Sequence, residues 1–342
     1  MKAPNINDVA AHAGVSKKTV SRVINNESNV REQTRKKVQD SIAALGFKRS
    51  PLGLALAKSR SFFIALLSDN PSPGYVNKLQ QGILQSCTES KMGLFLYDCK
   101  YRSPTLVEDI SHFIDSTLVD GVILPPPLCD NQPLIDMLNS RNLAYVSIGS
   151  VKAEHQHYVS FNYEKAACEV TRYLLKMGHR DIAFIKGHPD QQSSMDKERG
   201  FKRALSEQGV DVNESLITQG FYTFQSGKDA ATILLSQDLR PTAIISSNDE
   251  MAVGVLHELH YQKLSVPGDI SVVGMDDISI ASKVFPSLTT YRQPLGSIGY
   301  KAATILINKL TQKEKGEKVA PDIHAIFDGE LVIRDSVAPP NT

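Results

Sequence analysis

Cysteine is scarce in this chain, and its four copies lie far apart. Cys87, Cys99, Cys129 and Cys168 include no CxxC pair, which excludes a disulfide framework or zinc ribbon and suits reduced thiols in a cytosol. Long hydrophobic runs are missing too. No stretch reaches the roughly 18 apolar residues that a membrane-crossing helix needs. Met1-Lys2-Ala3-Pro4-Asn5 passes into a polar helical pattern without the apolar core of a secretory signal, so a cytoplasmic protein with no membrane partner is expected. Catalytic signatures are absent as well: GxxxxGK(S/T), GxSxG, HExxH and GxGxxG do not occur. No enzyme activity, cofactor or metal is therefore expected. The nine histidines are scattered, and the close pair His155 and His157 falls in a polar stretch that reads as a solvated loop.

What is present is a chain of 342 residues, 41% hydrophobic, long enough for two or three domains with a large core. Its net charge of +1 conceals a division. Residues 1–60 carry 12 Lys and Arg against 4 Asp and Glu, whereas the rest carries 26 against 33. A basic head on an acidic body suggests that the head meets a polyanion.

Residues 5–46 read as three short helices. Ile6, Val9, Ala10 and Ala13 form one apolar stripe, Asn5 and Asp8 resemble a capping box, and Gly14 ends the helix. Ser16 can cap a second helix. The third runs from about Glu32 to Leu45, buries Val38, Ile42 and Leu45, and stops at Gly46. Residues 47–61 are basic, contain Pro51 and read as a linker. From Phe62 short apolar runs alternate with amphipathic patterns. Strands are expected at 62–68, 93–97, 121–124, 144–149, 181–186, 243–246 and 270–274. Helices are expected near 75–90, 105–117, 162–177, 197–208, 226–237, 248–261 and 294–311. That alternation predicts parallel sheets covered on both faces, enough for two subdomains with a cleft between them. Ligands of such sheets bind at the carboxyl ends of the strands. Pro125-Pro126-Pro127 reads only as a rigid strand exit.

A helix starting after Ser16 places Lys17, Lys18, Ser21, Arg22 and Asn25 within an arc of roughly 140°, with Val20 and Val23 opposite. Such a face suits a major groove: Arg forks to guanine, Asn pairs with adenine, and Lys reaches guanine or phosphate. Thr34, Lys36 and Lys37 on the third helix suit backbone phosphates.

Three segments in this head are distinctive: Ile6-Asn7-Asp8-Val9-Ala10, Ala13-Gly14-Val15-Ser16 and Thr19-Val20-Ser21-Arg22-Val23-Ile24-Asn25. With Thr34-Arg35 and Ala43-Ala44-Leu45-Gly46-Phe47, they resemble the signature of the LacI/GalR repressors. The likeness runs on through Gly178-His179, Ser271-Val272-Val273-Gly274 with Asp276-Asp277, Leu288-Thr289-Thr290 and Glu330-Leu331-Val332-Ile333-Arg334. It implies an all-α three-helix helix-turn-helix head over residues 1–48 and a hinge over 49–61. It implies an α/β body over 62–342, built of two doubly wound parallel-sheet subdomains of periplasmic-binding-protein type. Lys17, Lys18 and Arg22 fall where such regulators read base edges, and Ser16, Thr19, Ser21, Asn25 and Thr34 where they hold phosphates. Residues 50–58 would form a hinge helix, with Leu56 as the minor-groove wedge. Arg49-Ser50 and Gly53 depart from the family's hinge, and Gly53 weakens a helix by about 1 kcal/mol relative to Ala.

Asp69, Tyr75, Tyr222, Asn248, Asp276 and Gln293 are candidates for gripping a polyhydroxylated ligand, and each matches a family position lining the effector pocket. Where the family carries an Arg three residues before Gly200-Phe201, this chain has Lys197, with Arg199 nearer the glycine. Lysine lacks the bidentate fork of arginine. The resemblance thus implies a homodimer on a near-palindromic double-stranded operator, controlled by a small effector, with a saccharide expected and a purine corepressor as the alternative. No leucine heptad follows Arg334, which makes a dimer the default. An enzyme or an exported solute-binding protein on the same body fold are the rival classes.

Overall fold

The computed structural model describes residues 4–24, 27–47, 60–149, 157–315 and 323–341. The chain divides into two compact units, Met1–Ser61 and Phe62–Thr342. In the first, α1 (Ile6–Ala13), α2 (Lys17–Ile24) and α3 (Glu32–Leu45) pack around Val9, Ala13, Val20, Val23 and Val38. The capping box is present: Asn5 accepts from the main-chain N–H groups of Asn7 and Asp8, and Asp8 accepts from that of Asn5. Gly14 and Gly46 close α1 and α3 at φ 63° and 59°, a region where a Cβ is unfavourable. Ile42 and Leu45, expected in the core, are only partly buried, and Ser41 is buried instead. Asn25, Leu56, the 50–58 hinge segment and His155 lie outside the described residues.

The second unit starts with β1 (Phe63–Ser68), α4 (Pro73–Glu89), β2 (Gly93–Asp98), α5 (Leu106–Thr117) and β3 (Gly121–Leu124). There follow α6 (Gln132–Ser140), β4 (Ala144–Ile148), β5 (Tyr158–Phe161), α7 (Tyr163–Lys176) and β6 (Ile182–Lys186). Next come α8 (Gln192–Glu207), β7 (Ile217–Gln219), α9 (Phe224–Leu235), β8 (Ala243–Ser246), α10 (Asp249–Tyr261) and β9 (Ser271–Asp276). The series ends with β10 (Thr289–Arg292), α11 (Leu295–Lys315), β11 (His324–Phe327) and β12 (Glu330–Val332). One sheet has the order β11-β5-β4-β3-β1-β2, and all its neighbours are parallel. The other, β12-β10-β9-β8-β6-β7, is parallel except where β12 runs against β10. The chain crosses between the sheets three times, after β5, β10 and β11. Central strands such as β3, β4 and β8 are buried along their whole length, as parallel strands covered on both faces must be. On one flank α4 and α11 touch so closely that a Cβ on Gly82 would lie 1.8 Å from the Gly296 carbonyl oxygen.

Five strands and one helix go beyond the sequence expectations: β5, β7, β10, β11, β12 and α6. The solvated-loop expectation for His157 is corrected. That ring is buried, and its Nδ1 accepts from Ile323 N at 3.2 Å, tying the approach to β5 to that of β11.

Candidate DNA-reading face and effector cleft

In the head, Ser16 Oγ accepts from Thr19 N at 3.1 Å and lies 2.9 Å from Thr19 Oγ1, which starts α2 and fixes its rotation. Val20 and Val23 point into the core. Lys17 and Lys18 are exposed, and with Ser21, Arg22 and Glu27 they line one shallow depression. Thr34 is partly exposed at the start of α3, and Lys36 and Lys37 are exposed further along it. The face is thus built from short-range geometry: a hydroxyl cap sets the register, valines anchor one side, and the cations emerge on the other.

In the second unit, a pocket with a cavity volume of about 30 Å³ lies where strand ends of both sheets converge. Tyr75 comes from α4 after β1, Tyr163 from the first turn of α7 after β5, and Lys197 from α8 after β6. Tyr222 follows β7, Asn248 caps α10 after β8, Asp276 ends β9, and Gln293 follows β10. Asn70, Ser72, Pro126, Gln191 and Ser193 complete the lining. Lys197 is 3% exposed. It donates to the Ser247 carbonyl at 2.7 Å and lies 5.4 and 5.3 Å from the ring centres of Tyr163 and Tyr222. Cation–aromatic attraction stabilises such a desolvated ammonium. Gln293 Nε2 donates to Asp276 Oδ1 at 2.5 Å. Burial pushes the Asp276 carboxyl up to about 7, against the pull of Lys197 and Lys78 and the Gln293 hydrogen bond. Burial also raises the Tyr75 and Tyr163 phenols, so both are neutral donors. Tyr222 Oη and Gln293 Oε1, on two of the lining residues, have no hydrogen-bond partner among the described residues. Buried polar atoms of that kind are costly unless something satisfies them.

The backbone around the pocket is specialised. Tyr222, Asp276 and Asp277 adopt φ of 62°, 109° and 50°, a region that costs non-glycine residues energy and clusters at ligand sites. Gly187 makes room for Tyr222, since a Cβ there would lie 2.0 Å from the phenol ring. Asp277 turns away from the pocket, with its carboxylate on Arg292 at 2.7 Å and Arg334 at 2.6 Å. Burial raises that carboxyl, but the two arginine hydrogen bonds outweigh burial and hold it below the usual range. Asp249, fully buried, accepts from Thr290 Oγ1 at 2.5 Å and from Ile278 N at 2.8 Å, locking the β9 exit to β10.

Six of the seven expected effector residues meet in this pocket: Tyr75, Lys197, Tyr222, Asn248, Asp276 and Gln293. Asn248 meets it with both amide ends engaged, accepting from Met251 N and donating to the Tyr222 carbonyl, each at 3.0 Å. Asp69 is the exception, and its expected place in the pocket is corrected. Its Oδ2 accepts from Tyr101 N at 2.6 Å, so it organises the turn after β2 instead. Beyond that turn, Arg102 reaches Asp190 on the opposite subdomain at 3.1 Å. Arg199 also lies outside the lining, paired on the surface with Glu164 at 3.0 Å and Asp196 at 2.5 Å.

Residues 171–337 match the family described as "Periplasmic binding protein-like domain", and residues 5–50 match "Bacterial regulatory proteins, lacI family". The catabolite control protein A of Priestia megaterium is 31% identical over 94% of this chain and 97% of its own. The chain belongs to the LacI family. Among solved structures of LacI-like architecture, the lac repressor dimer bound to operator and the anti-inducer ONPF superposes with a TM-score of 0.81. It is 25% identical and covers 98% of this chain and 100% of that one. A complex of the transcriptional regulator CelR with cellobiose superposes with a TM-score of 0.74 at 28% identity, covering 97% of this chain and 99% of that one. Within this LacI-family chain, sequence reasoning missed Asn70, Ser72 and Pro126, the last read only as a rigid strand exit, and it also missed Tyr163, Gln191 and Ser193. The signal for these last three lay in the exits of β5 and β6: Asn162 caps α7 directly before Tyr163, and Gln191 and Ser193 flank the start of α8.

Proposed function

We propose that this LacI-family protein is a cytoplasmic homodimeric repressor of carbohydrate uptake or catabolism genes, whose grip on a near-palindromic operator is relieved by a saccharide effector. Lys17, Lys18 and Arg22 read base edges in the major groove, and Ser16, Thr19, Ser21, Asn25 and Thr34 hold phosphates. Leu56 wedges the minor groove at the operator centre. The observation that carries the effector half is the pocket itself. A buried ammonium and a buried carboxyl stand among three tyrosines, and two of the lining residues, Tyr222 and Gln293, carry a buried hydroxyl and amide oxygen without a partner among the described residues. Neutral polyols match that set, because each hydroxyl both donates and accepts, and their apolar faces suit the tyrosine rings. Effector binding at the junction of the two subdomains biases how they close, which shifts a two-state equilibrium at the operator.

A thermal-shift screen of mono- and disaccharides, sugar phosphates and nucleobases tests this, followed by operator binding with and without each hit. A saccharide is expected to raise the melting temperature by mass action and to weaken operator binding. A purine corepressor is the second reading, favoured by the same three rings, which also stack planar bases. A nucleobase hit that tightens operator binding would select it.

A further inference from the structure

The base-reading face carries one acidic side chain. Glu27 lines the same depression as Lys17, Lys18, Ser21 and Arg22. Its main chain is fixed at both ends: Glu27 N donates to the Arg22 carbonyl at 3.0 Å, and Arg35 Nη2 donates to the Glu27 carbonyl at 2.6 Å. Its carboxylate stands 3.7 Å from Arg22 Nε, with the two side chains 45% and 39% exposed. The other acids of the head sit elsewhere: Asp8 caps α1, Glu32 pairs with Arg35 at 3.8 Å, and Asp40 is exposed on α3. A carboxylate turned toward a polyanion opposes binding unless it does something for recognition.

We infer that Glu27 is a positioning and specificity-determining residue for DNA, aiming the Arg22 guanidinium at a guanine and penalising every other base. The assignment rests on the DNA-reading role given to α2 above. A carboxylate on the Nε side leaves the two terminal nitrogens of Arg22 as a fork, the shape that meets guanine O6 and N7 together. Against guanine, the guanidinium serves both neighbours at once. Against the other bases the fork is incomplete, and the carboxylate faces groove acceptors without compensation. Such a repulsive element sharpens discrimination more than it adds affinity. It also lowers attraction to phosphates wherever the face lies on the wrong sequence.

The test is selection from a random-sequence duplex library by the full-length protein and its Glu27→Gln, Glu27→Asp and Arg22→Ala variants, with salt titrations on the selected and on scrambled duplexes. Wild type is expected to enrich a guanine that Arg22→Ala loses. Glu27→Gln should bind scrambled DNA more tightly, with a salt slope steeper by about 0.9. Its preference for that guanine should fall by about fivefold or more. Glu27→Asp, which keeps the charge, should keep the wild-type slope. Unchanged melting temperatures separate this from a folding defect. If wild type enriches no sequence, the DNA-reading role of α2 fails and this inference with it. If wild type enriches a guanine that Arg22→Ala loses, while Glu27→Gln keeps both preference and slope, only the role of Glu27 is overturned.

Discussion

Gln293 and Asp276 form a 2.5 Å hydrogen bond inside the cleft, amide nitrogen to carboxylate oxygen, which with the charges of Lys197 and Lys78 favours the ionised form of Asp276. Together they do not offset burial, and the carboxyl holds its proton up to about pH 7. An aspartate in the unfolded chain releases its proton near 3.8, so between these values the folded state binds more protons and stability falls as pH rises. Asp276→Asn removes that penalty while keeping an oxygen for Gln293. The variant should be more stable than wild type at pH 8, by something on the order of 2–4 kcal/mol, and the gap should close toward pH 4. Thermal unfolding at several pH values checks both the sign and the window.

Lys17 and Lys18 add charge to the head without an ion pair between them and any described acid. Lys17→Ala and Lys18→Ala should each lower the slope of log affinity against log salt by about 0.9. A variant that also loses preference at one base position identifies the lysine that reads a base edge. Fluorescence anisotropy on an enriched duplex and its point variants measures both quantities.

Lys197 hydrogen-bonds only to a main-chain carbonyl among the described residues, with its two other N–H bonds available to a ligand in the pocket. Lys197→Ala should leave operator affinity intact while weakening binding of the screened effector by about tenfold or more. Equal dose responses for variant and wild type would remove Lys197 from the effector site.

Arg102 and Asp190 connect the two subdomains at the surface, 68% and 42% exposed at their side chains. A pair so exposed contributes little to overall stability, about 0–1 kcal/mol, but that is enough to tilt a near-balanced closing motion. Spin labels at Lys100→Cys and Met195→Cys report the separation, because the four native cysteines are buried and resist labelling. Arg102→Asp should lengthen the measured distance, the swap Arg102→Asp with Asp190→Arg should restore it, and high salt should erode the wild-type value. Identical distance distributions in all samples would show that the pair does not govern closure.

Much of this architecture was readable beforehand, for physical reasons that differ between elements. Strands β1, β3, β4, β6 and β8 are central and buried on both faces, so each is a near-continuous apolar run. Strands β7 and β12 have three residues each at sheet edges, half-covered, and β11 alternates exposed with partly buried positions, so none presents such a run. Helix α6 is short and is not among the expected helices, and it carries Pro133 in its first turn, where Pro is well tolerated. The same blindness reached the pocket. With β5 unrecognised, Tyr163 at its exit could not be placed in the cleft. Asp69 erred the other way: a strand-end carboxylate is equally suited to a ligand or to a neighbouring turn, and only the fold shows that Tyr101 N takes it.

The three crossings between the sheets bear on how the protein is made. Both sheets recruit an edge strand from residues 324–332, so each waits for the last stretch of the body, and in the first sheet β11 follows β5 by more than 160 residues. Neither half can complete its hydrogen-bonded ladder early, because the outer sides of β5 and β10 lack their partner strands until residues 324–332 have emerged. Chaperone dependence during synthesis, rather than during refolding of the finished chain, is where that delay should register.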